Sequence, residues 1–205
     1  MKKSNVAALA AVALLFCACI PSVNPFYSEK DITFDTRLVG EWQEKDAQGE
    51  PQVWKFDANG TNAYQLTVTE PKGKTGKFDA LLFQIKDQSF LDLIAADCNY
   101  ATNQADLVGV SMFPGHLLVR VVQLEPDLKL AMTDFDWLEK YLKQNPDALP
   151  HRADASRGIL LTASTRELQK FVINHLGENE LFAKGGEMTR LTNSAPAAVP
   201  PPPAK

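Results

Sequence analysis

The chain has 205 residues, with 21 Lys and Arg against 25 Asp and Glu, a formal net charge of −4. That length suits one ordinary domain with a core of its own. The acidic balance excludes a nucleic-acid partner, whose phosphates call for a basic stripe, and no basic cluster is suited to anionic lipid heads.

Met1-Lys2-Lys3 is a short basic start, and the run from Val6 to Phe16 is apolar and uncharged. This is the layout of a secretory signal. A spanning helix needs roughly 20 apolar residues, and Pro21 and Asn24 end the run before that. The run closes on Leu14-Leu15-Phe16-Cys17-Ala18-Cys19, which resembles the lipobox of bacterial lipoproteins. The resemblance implies a signal peptide over 1–18, a cut before Cys19, and lipidation of Cys19 by a diacylglycerol thioether and an N-acyl chain. Phe16 departs from the usual Leu, and Cys17 from the usual Ala or Ser. A cut before Cys17 would set bulky Phe16 beside the bond. Ile20 rather than Asp follows Cys19, which in Gram-negative lipoproteins implies the outer membrane, on its periplasmic side. Cys98 is then the one remaining thiol, so no internal disulfide holds the fold.

Residues 19–36 carry two prolines and mixed polarity and are expected to be a lipidated tether. A β-rich domain is expected over 37–192. Trp54 and Phe56 alternate with Lys55 and Asp57, and Tyr64, Leu66 and Val68 alternate with Gln65, Thr67 and Thr69. Both have the period of a half-buried strand, and Asn59-Gly60 between them supplies a tight hairpin. Phe78–Ile85 and Phe90–Ala95 follow as strands around a turn at Lys86-Asp87-Gln88. Leu107–Phe113 and His116–Leu124 flank Pro114-Gly115, and Leu128, Leu130 and Met132 alternate once more. A first helix is expected from Thr133 to about Gln144, with Phe135, Leu138 and Leu142 on one face and Pro146 as its stop. After a strand at Ile159–Leu161, Ser164 and Glu167 form a capping box. It opens a second helix whose stripe is Leu168, Phe171, Val172 and Leu176, with Gly177 at its end. Met188–Leu191 is a last short strand. Residues 193–205, rich in Pro and Ala, favour polyproline II and no packed core. The fold class is therefore α+β, mainly β: an antiparallel meander or lipocalin-like barrel with two packed amphipathic helices.

Leu38-Val39-Gly40-Glu41-Trp42 places Gly-x-Trp on the opening strand, which resembles the lipocalin signature. Thr133-Asp134-Phe135 resembles that family's second motif, and Arg190 its late arginine over the tryptophan. The resemblance implies a barrel closed at the Trp42 end. It does not predict two helices between the second and third pieces, and Thr133-Asp134 also reads as a helix start. The mature chain as a whole resembles uncharacterised lipoproteins of environmental bacteria. That likeness rests on Asn24-Pro25-Phe26-Tyr27, Leu38-Val39-Gly40-Glu41-Trp42 and Leu160-Leu161-Thr162-Ala163-Ser164-Thr165. It implies no particular activity.

Catalytic patterns are sparse, and no enzyme is expected. His116, His151 and His175 are scattered and do not form a zinc motif; His175 sits at the edge of the second helix's apolar stripe. Cys98 lacks a nucleophile signature and reads as a small buried hydrophobe. Asp134, Asp136 and Glu139 sit in the first turns of a helix, where acids favour the dipole. Neither a P-loop nor a Gly-x-Gly-x-x-Gly run occurs, and no cofactor or metal is expected. The leading expectation is a lipid-anchored envelope protein that binds a small apolar ligand or lipid inside the barrel, at Trp42, Trp54, Tyr64, Leu66 and Phe83. If those side chains fill the interior, no pocket remains. The alternative is an envelope interaction or assembly factor, with Trp137 and Tyr141 on the first helix as a candidate patch unless both rings turn inward.

Overall fold

Period-two alternation becomes a wall wherever one face of each strand finds a shared apolar interior. The computed structural model describes residues 20–45, 50–96, 114–154, 158–177, 180–183 and 186–191. The expected signal, Cys19, Cys98, the Leu107–Phe113 strand and the Pro-rich tail lie outside them. The strands are β1 (Ile32–Thr33), β2 (Gly40–Lys45), β3 (Pro51–Asn59), β4 (Ala63–Thr69), β5 (Thr75–Ile85) and β6 (Gln88–Ala95). They continue as β7 (Leu117–Gln123), β8 (Leu128–Met132), β9 (His151–Asp154), β10 (Gly158–Leu161) and β11 (Gly186–Arg190). The helices are α1 (Phe135–Gln144) and α2 (Thr165–Asn174).

Eight strands close an antiparallel barrel in the order β5-β4-β3-β2-β11-β8-β7-β6, with β6 paired back to β5. Closure leaves the barrel no free edge. β1 adds to the far end of β5, with Ile32 opposite Phe83. Between β8 and β11 the chain leaves the wall to build a cover of α1, the β9-β10 hairpin and α2. The mainly β fold class, barrel and two helices are thus as the sequence indicates, while β9 was not foreseen.

Local details follow the residue chemistry. Asn59 faces Ala63, so the β3-β4 connection is the three-residue loop Gly60-Thr61-Asn62 rather than a two-residue turn. Only glycine's freedom is used there, at φ 68° for Gly60. The first helix starts at Phe135, two residues after Thr133. Asp134 is its N-cap and accepts the Trp137 N–H at 2.9 Å, while Thr133 bridges to Phe182. The α2 capping box forms as expected: the Ser164 hydroxyl takes the Glu167 N–H, and the Glu167 carboxylate takes the Ser164 N–H.

Two apolar layers result. Inside the barrel lie Leu38, Trp42, Trp54, Phe56, Tyr64, Leu66, Leu91, Val119, Leu130 and Met188 with their neighbours. Outside it, between wall and cover, lie Phe83, Phe90, Leu118 and Ala131 from the strands against Leu138, Leu142, Leu168, Phe171 and Val172 from the helices.

The expected tether is corrected by this second layer. Residues 20–36 do not hang free, because Ile20, Ser22 and Phe26 are 2%, 0% and 3% exposed. The segment is a strap bonded along the cover. Ser22 exchanges both backbone bonds with His116 at 2.9 Å, and Pro21 O and Val23 N pair with Leu161 at 2.9 Å. The Asn24 amide donates to Ala163 O at 2.9 Å, and Thr165 and Gln169 of α2 donate to Pro25 O and Phe26 O. Ser22 thus joins the barrel at His116 to the small sheet at Leu161.

Candidate functional site

The five side chains expected to bind a ligand do not share one site. Trp42, Trp54, Tyr64 and Leu66 point inward from β2, β3 and β4, at 0%, 6%, 0% and 0% exposure. Phe83 points the other way. Ala80 and Leu82 take the inward positions of β5, so strand parity turns Phe83 outward into the cover. There it stacks on Phe90 at 5.5 Å and lies 6.1 Å from Tyr27.

The interior is filled by large rings. Phe56 meets Tyr64 edge-on at 6.3 Å, and Trp54 lies 6.4 Å from Phe56. One end is sealed. The turn Thr36–Leu38 folds over it, Trp42 Nε1 donates to Leu38 O at 2.9 Å, and the Arg190 guanidinium lies 4.0 Å from the Trp42 ring. Arg190 also donates to Val39 O at 2.8 Å and to Arg37 O. The Tyr64 hydroxyl accepts the Asp35 N–H at 2.7 Å and donates to Asp35 O at 3.1 Å. Burial pushes that phenol up to about 12. Two further polar groups stand apart from these bonds. Trp54 Nε1 is buried without a hydrogen-bond partner, and burial pushes the Glu44 carboxyl above its ordinary range.

A small crevice lies outside the barrel, under the strap. Ile20, Phe26, Leu118, Leu138, Leu161 and Phe171 help to line it, and its volume is about 10 Å³. That is room for about one water molecule.

The covered wall carries a polar group that the sequence reading missed. Asp92 on β6 is 2% exposed. It accepts the Phe26 N–H at 2.9 Å and bonds His116 Nδ1 at 2.7 Å. Burial and the nearby Asp92 charge push the Tyr27 phenol up. One β-strand over, Arg120 donates to Leu176 O at 3.2 Å and to Gln88 at 2.7 Å. A cation at the end of α2 suits the helix dipole. Asp92 therefore clasps the strap and Arg120 clasps α2. The missed signal was an Asp inside the apolar run Phe90-Leu91-Asp92-Leu93: a charge there needs partners.

Ser22, His116 and Asp92 have the composition of a nucleophilic triad. Ser22 is wholly buried, however, and its hydroxyl accepts the Asn24 N–H at 3.3 Å. A nucleophile needs a path to substrate, and this arrangement offers none. Among the described residues no group of three or more His, Cys, Asp and Glu could hold a metal. His151 Nδ1 meets Leu149 O at 2.7 Å. His175 closes a ring cluster, 4.5 Å from Phe171 and 4.7 Å from Tyr141. Trp137 and Tyr141, the candidate patch, stack at 4.9 Å and turn toward α2, where both are half-buried. Asp134 is committed to its cap, and Glu139 pairs with Lys143 at 3.0 Å.

No protein-family model, curated protein or solved structure matches the chain.

Proposed function

We propose that the chain is a lipid-anchored envelope protein that works through its outer surface, as an interaction or assembly factor, with the barrel as a rigid frame. The anchor is Cys19, and the compartment is the periplasmic face of an outer membrane. The observation that carries the choice is the packing of the barrel: Trp42, Phe56, Tyr64 and Leu66 are each 0% exposed and occupy the space a carried ligand would need. The anchor itself is supported by the lipobox resemblance alone. Incorporation of labelled palmitate, retained by Cys17→Ser and abolished by Cys19→Ser, is the expected result. Label that survives Cys19→Ser would refute the anchor.

Carriage of a small apolar ligand remains the second reading, favoured by one observation. The buried Trp54 N–H lacks a protein partner, and a guest with an acceptor atom, such as a lipid ester carbonyl, would satisfy it. Native mass spectrometry on a soluble form beginning at Ile20, after incubation with envelope lipid extract, separates the two. The surface-factor reading expects a clean apo mass, together with a specific photo-cross-link in cells from a probe at Val122, which is 54% exposed. A reproducible lipid-mass adduct that Trp54→Phe abolishes would establish carriage instead.

A further inference from the structure

The docked strap changes what the lipid anchor does. Read as a free tether, residues 20–36 would let the domain range roughly 60 Å from the bilayer, at about 3.3–3.6 Å per residue. Instead the first described residue, Ile20, is already 2% exposed in the core beneath the cover. Pro21, Ser22 and Val23 are held by four backbone bonds of 2.9 Å between His116 and Leu161. Cys19 is covalently next to Ile20, so its Cα stands about 3.8 Å from the Ile20 Cα. No length of chain is left to act as a leash.

We infer that the mature protein rides directly on the lipid headgroups, the bilayer itself covering the face around the start of the strap. That face is formed by Pro21, the Pro114-Gly115 approach to β7, and the turn where Thr162 N bonds Pro150 O at 2.9 Å. Pro150 and Thr162 are exposed there. The inference rests on the lipid anchor proposed above. Its consequence is a short range: partners must come to within one domain's thickness of the membrane surface. Partners farther away are out of reach.

The strap is held by a fit that can be spoiled at one atom. A Cβ on Gly115 would stand 2.5 Å from Pro21 Cβ, closer than real side-chain atoms approach. Gly115→Val should therefore push off the start of the strap while leaving the barrel strands untouched. An insertion of about a dozen Gly and Ser residues between Cys19 and Ile20 leaves docking intact and adds a leash of about 18–20 Å root-mean-square length.

Neutron reflectometry on the full acylated protein, reconstituted in a supported bilayer of phosphatidylethanolamine with a minority of phosphatidylglycerol, measures the gap between headgroups and protein. The wild type should show no resolvable water gap. The insertion should lift the protein layer by about 20 Å, and Gly115→Val by up to about 25 Å, the contour of residues 20–26. A wild-type gap of about 20 Å or more, unchanged by the insertion, would overturn the inference while leaving the anchor standing. Protein that carries no acyl chain and forms no layer would instead overturn the anchor, and this inference with it.

Discussion

The clasp at Asp92 makes the sharpest prediction. Its carboxylate side chain is 1% exposed and that of His116 12%. Asp92→Ala leaves the buried Phe26 N–H without an acceptor, which costs about 1–3 kcal/mol, and removes a hydrogen bond to an ionised group, worth about 1.5–3 kcal/mol. The expected loss is about 3–5 kcal/mol. His116→Ala removes the hydrogen bond to the carboxylate, worth about 1.5–3 kcal/mol, and leaves it in a nearly dry place with Phe26 N–H as its remaining bond. The double variant does not pay twice for the same contact. Its loss should fall short of the summed single losses by a coupling of about 1.5–3 kcal/mol.

Urea unfolding of the soluble form gives the three differences, and hydrogen exchange locates them. In Asp92→Ala the Phe26 amide should lose protection well before that of Leu66, which lies in a ladder inside the closed barrel. Additive single losses, with coupling below about 0.5 kcal/mol, would refute the clasp. So would equal loss of protection at Phe26 and Leu66, because the strap would then be no separate unit.

Three further outcomes follow from single groups. Burial holds the Tyr64 phenol up to about 12 against an ordinary 10, so the folded state keeps its proton after the unfolded chain has lost it. Stability is then full below pH 10 and falls between there and about 12, by up to about 1.4 kcal/mol per pH unit. Tyr64→Phe should flatten that alkaline slope in urea unfolding and lose about 1 kcal/mol at neutral pH, where Asp35 N–H goes unpaired. Glu44 is pushed up by burial, so its protonated form suits the fold and its contribution is lost as pH rises through the folded value. Glu44→Gln should raise Tm at neutral pH and leave it unchanged in acid below the ordinary carboxylate range. Trp54→Phe removes a buried N–H that bonds nothing, so its cost should be that of the smaller ring and the space it leaves, with no hydrogen bond lost. Trp42→Phe should cost more in the same assay, since it strands Leu38 O and leaves a smaller ring beneath Arg190. A reversed order would mean that the Trp54 N–H does have a partner.

The barrel was legible because its uncovered wall obeys a simple period. β4 reads half-buried and buried by turns from Ala63 to Thr69, and the sequence alternates to match. The helices were legible for a similar reason, through Leu138 and Leu142 on α1 and the Ser164 cap on α2. The strap was not. Its two prolines and polar residues look like a linker, and its burial depends on partners about 140 positions away, such as Ala163 and Thr165. Phe83 was misplaced for a related reason. In Leu81-Leu82-Phe83 every side is apolar, so hydrophobicity alone does not say which side faces in. Only the register of β5 against β4 decides it, through Tyr64 opposite Ala80.

That failure carries information of its own. A strand that loses its alternation is buried on both faces, and β6 does so at Phe90-Leu91-Asp92-Leu93, four buried residues in a row. Leu91 and Leu93 face the barrel interior while Phe90 and Asp92 face the cover. The break in the period therefore marks, in the sequence itself, which stretch of wall is roofed over. An Asp inside such a stretch has no solvent on either side. It persists only where the roof brings donors to it, as Phe26 N–H and His116 do. The strap and the Asp92 position therefore depend on each other. Without the strap the carboxylate loses a donor, and without the carboxylate the strap keeps its Ser22–His116 bonds but loses its hold on β6.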